Sequence, residues 1–172
     1  TTHGMPKATL MQERLLAINP ELDLTTITSF VSPEMVATQL AQRPDYIIDA
    51  IDSITPKLTF IKMAVESGIA LVSSMGAGAK LDPTQLQVVD IAKTYNCPFA
   101  QQIRKQLKRK YGIRKGIKVV FSPEKPLKES LMLTDGSNFK KSAYGTISYL
   151  PATFGAVAAS VVIRDLVAAA PR

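Results

Sequence analysis

Asp45-Tyr46-Ile47-Ile48-Asp49-Ala50-Ile51-Asp52 is the stretch that decides the fold. Its short apolar run lies between the loop signal Arg43-Pro44 and the helix-opening pair Thr55-Pro56. Such a run reads as a strand buried on both faces, as in a parallel sheet. The helix that follows is expected to reach about Ser67 and stop at Gly68. Ile69 to Ser73 reads as a second buried strand. Strand, helix and strand in this order predict a βαβ unit with a right-handed crossover. The fold class is therefore α/β, and 172 residues fit one domain over 1–172.

Towards the N-terminus, Met5 to Ile18 places Leu10, Met11, Leu15 and Ile18 at helical spacing, with Pro6 suited to the first turn and Asn19-Pro20 as the stop. Leu22 to Thr28 alternates apolar residues with Asp or Thr and is expected to be a strand. Ser32-Pro33 opens a short helix to about Leu40. Towards the C-terminus, Met75-Gly76-Ala77-Gly78-Ala79 is a glycine-rich loop, and Gln85 to Val89 a further candidate strand. Pro98 to about Tyr111 reads as a basic helix closed by Gly112, and Ile117 to Phe121 as a strand. A turn is expected around Asp135-Gly136. Leu150 to about Ala168 is a mostly apolar helix.

Composition narrows the classes. Hydrophobic residues make up 46% and charged residues 20%, which suits a packed globular chain rather than a disordered one. A net charge of +7 favours an anionic partner without choosing among RNA, nucleotide or acidic membrane. Cys97 is the single cysteine and His3 the single histidine, so a disulfide framework, a Cys/His zinc cluster and a histidine-dependent triad are not expected. Cysteine usage of this kind fits a reducing, cytoplasmic setting. The apolar run Leu150 to Ile163 is shorter than the ~20 residues that cross a bilayer, and burial in a core or dimer interface is expected instead, with no stable membrane span.

Four places could carry chemistry. Asp49 and Asp52 fall near the carboxyl end of a central strand, where open α/β sheets bind ligands. A carboxylate there can hold Mg²⁺ against phosphate oxygens; the alternative is that Asp52 or Ser53 caps the next helix. Lys7 lies near a helix start, where free N–H groups favour an anion; the alternative is a solvated lysine. The Gly76-Ala77-Gly78 loop lacks the third glycine and following helix of a dinucleotide fingerprint, so a tight turn with positive φ explains it better. Arg104, Lys105, Lys108, Arg109, Lys110, Arg114, Lys115 and Lys118 follow one another with no acid between them, a field that a phosphate backbone would feel. A solvated helix face is the alternative.

Several segments resemble a known family. Asp49-Ala50-Ile51-Asp52-Ser53 with Pro56-Lys57 is similar to the "D-A-I-D-S…P-K" segment of tRNA threonylcarbamoyladenosine dehydratases, within the HesA/MoeB/ThiF family. Leu71 to Gly78, Asp82 to Val88 and Asp90 to Thr94 continue the resemblance, as do Gly4-x-x-Lys7-Ala8, Ile18-Asn19-Pro20 and Ala152-Thr153-Phe154-Gly155. The resemblance implies an incomplete Rossmann-like, mostly parallel sheet with flanking helices and a C-terminal extension, the C-terminal portion of a ThiF-type adenylating fold. It implies ATP and Mg²⁺ as cofactors, with Asp52 the metal and nucleotide carboxylate, Asp49 beside it and Lys7 at the phosphates. The carboxylate of threonylcarbamoyladenosine would be adenylated and then cyclised. The basic segment would contact tRNA. A homodimer and sulfur-transfer or modification partners are further family expectations. The family's "G-x-G-G-V-G-S" loop and "N-R-Q" motif should precede Gly4 and are not in this sequence. A chain of this extent is thus expected to be an inactive fragment that binds ATP poorly. An RNA-binding module on a degenerate nucleotide fold and an NAD-dependent oxidoreductase domain are the alternatives.

Overall fold

The strand centred on Ile48 forms as expected: β1 (Ile47–Asp49) is followed by α3 (Ile54–Ser67) and β2 (Leu71–Ser74), and β1 and β2 pair in parallel, Asp49 opposite Ser73. In this computed structural model residues 3–133 and 142–170 are described. The turn expected around Asp135-Gly136 lies outside them. The chain divides into two compact units, Thr1–Ser32 and Pro33–Arg172.

The first unit contains α1 (Lys7–Ile18), which begins after Pro6 rather than at Met5. None of its described residues is buried. Leu22 to Thr28 does not form the expected strand. Alternation alone does not make one: a strand needs a ladder partner for its N–H and C=O groups, and no described strand pairs with this segment.

The second unit opens with α2 (Pro33–Ala41) and contains a four-stranded sheet ordered β1-β2-β4-β3, with β3 at Gln87–Asp90 and β4 at Lys118–Phe121. β1, β2 and β4 are parallel; β3 runs antiparallel to β4 at the edge. The expected α/β class with a mostly parallel sheet is what forms. α4 (Pro98–Tyr111) lies between β3 and β4 in the chain, opened by Pro98 and closed by Gly112 at φ 69°. A small antiparallel ribbon, β5 (Leu131–Leu133) with β6 (Ser142–Tyr144), leads into α5 (Tyr149–Ala169).

Period-two alternation splits the core into two layers. Val119 and Phe121 of β4 join Leu58 and Ile61 of α3 and Ala100, Ile103 and Leu107 of α4. Val120 and Val72 join Leu150, Phe154, Ala158 and Val161 of α5. Helices therefore cover both faces of the sheet.

The length argument against a membrane span needs correcting. α5 runs 21 residues and is long and apolar enough, by length and composition only, to cross a bilayer. Its apolar run continues past the Arg164-Asp165 interruption, where Arg164 is exposed and Asp165 is partly buried. In this structure one face of α5 packs on the sheet, and Asp165 accepts hydrogen bonds from Tyr46 Oη (2.7 Å) and Lys118 Nζ.

Candidate functional site

The carboxyl ends of β1 and β2 are joined by one buried ion pair. Asp49 ends β1 and Lys57 lies in the first turn of α3, with Nζ 2.8 Å from Asp49 Oδ2 and both side chains 0% exposed. The same ammonium donates to the carbonyls of Ile51 (3.1 Å) and Ser74 (2.8 Å). An ammonium has three protons, and here each meets an oxygen. The Phe99 ring closes the site, its centroid 5.7 Å from Nζ. Asp49 is equally occupied: Oδ1 accepts the Ile51 N–H (2.9 Å) and Oδ2 the Ser73 hydroxyl (2.6 Å). Burial pushes the Lys57 ammonium down from its ordinary pKa, and the Asp49 carboxylate opposes that shift.

This network sorts the two aspartates that the sequence singled out. Asp49 is inside, with its oxygens taken up by the protein. Asp52 is exposed, three residues on, in the loop between β1 and α3. Ser53 occupies the N-cap position of α3 but makes no side-chain cap bond; its hydroxyl lies 3.4 Å from Asp52 Oδ1. Lys7 is exposed as the first residue of α1, in the other compact unit. Asp49 and Asp52 are thus brought onto one loop, and Lys7 belongs to a different body.

Sequence reasoning gives Lys57 no role beyond its place in a motif. The signal is present nonetheless: Lys57 sits on the same stripe of α3 as Leu58, Ile61 and Ala64. A cation on the buried face of an amphipathic helix needs an anion inside. Lys80 escapes in the same way. It is 2% exposed and donates to the carbonyls of Ser122 (2.7 Å) and Glu124 (2.6 Å). Burial lowers its pKa, with Cys97 and Glu124 opposing.

The glycine loop after β2 also differs from expectation. Gly76 and Gly78 do not take positive φ; the left-handed residue is Ala79, at 59°. The need for Gly78 is one of space. A Cβ there would stand 2.8 Å from Tyr144 Cβ, because the β5–β6 ribbon is drawn in by Ala79 N–H donating to Gly145 C=O (2.8 Å).

Of the basic residues, Lys105, Lys108, Arg109, Lys110, Arg114 and Lys115 are exposed, and none forms a salt bridge with a carboxylate among the described residues. Arg104 instead turns back to the carbonyl and hydroxyl of Thr94, and Lys118 pairs with Asp165. The exposed cations cluster at the C-terminus of α4 and the loop leading into the start of β4. Asp52 follows the other end of a parallel strand. The two features therefore lie at opposite ends of the sheet.

Among the described residues no cluster of three or more His, Cys, Asp or Glu could hold a metal ion. An exposed carboxylate such as Asp52 does suit Mg²⁺ brought in by a nucleotide, since that ion is usually held by one or two carboxylates together with substrate phosphates.

The sequence matches the ThiF family over residues 1–171. It is 37% identical to the tRNA threonylcarbamoyladenosine dehydratase of Escherichia coli, covering 98% of this chain and 69% of that protein. Identity to the Bacillus subtilis protein of the same name is 35%, covering 96% of this chain and 68% of the relative. The crystal structure of the Escherichia coli enzyme in complex with ATP superimposes with a TM-score of 0.83 at 37% identity, over 96% of this chain and 65% of that one. The same enzyme with AMP gives 0.83 at 38% identity. The chain thus spans about two thirds of the length of these relatives.

Proposed function

The chain belongs to the ThiF family, and on that premise we propose that it is part of an ATP-dependent tRNA threonylcarbamoyladenosine dehydratase. The observation that carries the reading is Asp52: an exposed carboxylate at the carboxyl end of β1, on a loop fixed from inside by Lys57. The fold around it closely matches that of a relative seen with ATP.

In this reading Asp52 faces the nucleotide phosphates and holds Mg²⁺, which offsets phosphate charge when bound. Asp49 acts from beneath by fixing the loop. The threonylcarbamoyl carboxylate attacks the α-phosphorus, pyrophosphate leaves, and the adenylate group departs as AMP when the modification closes into a ring. Lys105, Lys108, Arg109, Lys110, Arg114 and Lys115 take the tRNA backbone, away from the reacting nucleotide. The protein works in the cytoplasm as a homodimer, and the outward face of α5, with Gly155, Ile163 and Val167 exposed, is the surface suited to a second copy.

ATP–pyrophosphate exchange with tRNA carrying threonylcarbamoyladenosine tests the reading. Asp52→Ala is expected to lower exchange on the order of 100-fold or more, the usual loss when one electrostatic group of a reacting centre is removed. Asp52 is exposed, so the variant should fold. Unchanged exchange in Asp52→Ala, made in a protein that also carries the glycine-rich nucleotide loop, would refute the assignment; the chain by itself, without that loop, is expected to show little exchange.

A further inference from the structure

The geometry points to Lys57 as a positioning residue that holds both walls of the Asp52 crevice, an inference that rests on reading that crevice as the nucleotide site. The Lys57 side chain touches no solvent, and its ammonium ends the β1 side at Asp49 and Ile51 and the β2 side at Ser74. The loop carrying Asp52 is gripped at one residue from both directions. Ile51 N–H donates to Asp49 Oδ1, and Ile51 C=O accepts from Lys57 Nζ. Asp52 is the next residue. On the other wall, Ser74 C=O is fixed just before Met75 and the Gly76–Gly78 turn, and Met75 N–H is held in turn by Val120 C=O (2.9 Å).

Two features argue against a cation placed here for stability alone. The first turn of a helix is electrostatically unfavourable for a cation, because the free N–H groups already carry positive charge. A buried ion pair also seldom stabilises more than well-packed apolar residues of the same volume would, and its best-attested use is to specify one arrangement. Here the arrangement specified is the backbone beneath Asp52. Hydrogen bonds to a charged donor tie this backbone more strongly than neutral ones would.

The test compares three variants. Lys57→Met leaves Asp49 buried without its counter-charge and puts folding itself at risk, so the double variant Asp49→Asn/Lys57→Met, which removes both charges, is made beside it. Leu107→Ala, in the core far from the loop, serves as a control of comparable destabilisation. Native-state amide hydrogen exchange, which needs no nucleotide, reads the clamp directly. The double variant should exchange at Ile51 and Met75 about 10- to 100-fold faster, the loss expected for hydrogen bonds to a charged group. α4 and β4 should remain protected, whereas the control should loosen α4. Equal protection of Ile51 in the double variant and the unsubstituted chain, or a uniform rise everywhere, would overturn the inference.

ATP–pyrophosphate exchange then separates this inference from the functional reading. The double variant should keep its KM for ATP within a few fold while kcat falls and the Mg²⁺ requirement rises. If Asp52→Ala abolishes exchange and the double variant keeps full kcat, the positioning role fails and the functional reading stands. If a protein that also carries the nucleotide loop shows no exchange, the functional reading fails and the hydrogen-exchange result still decides the clamp.

Discussion

Replacing three glycines by alanine, one at a time, should give different outcomes for reasons visible in the structure. At Gly78 a Cβ would stand 2.8 Å from Tyr144 Cβ and 3.6 Å from Tyr144 O. The first is a side-chain root, not a flexible tip, so the β5–β6 ribbon must move. Overpacking of this kind costs about 1–3 kcal/mol, and the lower entropy of the unfolded chain offsets about 0.4–1 kcal/mol of that. The net is a loss of roughly 0–2.6 kcal/mol. At Gly155, inside α5, nothing lies within 4 Å of the added atom. Alanine is better than glycine in a helix interior by roughly 0.5–1 kcal/mol, so this variant should gain. At Gly112 there is also open space, but φ is 69°, and left-handed backbone costs alanine about 1–2 kcal/mol. Thermal unfolding at one concentration reads all three. With ~2–4 °C per kcal/mol for a chain of this size, Gly155→Ala should rise by about 1–4 °C and the other two should fall. Gly78→Ala matching Gly155→Ala would refute the seating of the ribbon on the glycine turn. Gly155 also lies on the face of α5 proposed to meet a second copy, so a gain seen on dilution that shrinks or turns into a fall as protein concentration rises would mean that a second copy covers that face.

Two further outcomes are expected. Asp165 has its carboxyl held below the ordinary value, first by the Lys118 hydrogen bond and then by Tyr46. A folded pKa below the unfolded one stabilises above the unfolded value, near ~3.9, and that contribution is lost as pH falls through the folded one; Asp165→Asn should thus lower Tm at neutral pH, with the gap closing in acid. Lys108→Glu/Arg109→Glu should weaken tRNA binding and flatten its salt dependence, by up to about one log unit of slope for each phosphate no longer neutralised, whereas Arg104→Gln should change stability more than slope because its guanidinium is bound to Thr94.

What could be read from sequence followed from local punctuation. Pro98 and Gly112 bracket α4 as expected, because a ring without an N–H suits a helix start and a left-handed glycine its end. β1, α3 and β2 were legible because apolar runs between turn signals have few other uses. Leu22 to Thr28 misled because alternation says which side chains share a face and nothing about whether a partner strand exists. Gly78 misled because two different demands, positive φ and a close neighbour, both select glycine, and only coordinates distinguish them. Asp52 could be singled out from its place after a strand. The division of labour with Asp49 could not, since it depends on Ser73 and Lys57 arriving from elsewhere in the chain.

The placement of the exposed cations at the start of β4, with Asp52 beyond the end of β1, sets a ruler. α4 alone runs 14 residues, about 21 Å at 1.5 Å per residue, roughly the distance a polyanion must cover to engage both ends. A free modified nucleoside, or an oligonucleotide of two or three residues, is too short. Length of RNA, and not only the identity of its modified base, should therefore set a threshold, with affinity stepping up once the strand outgrows the helix.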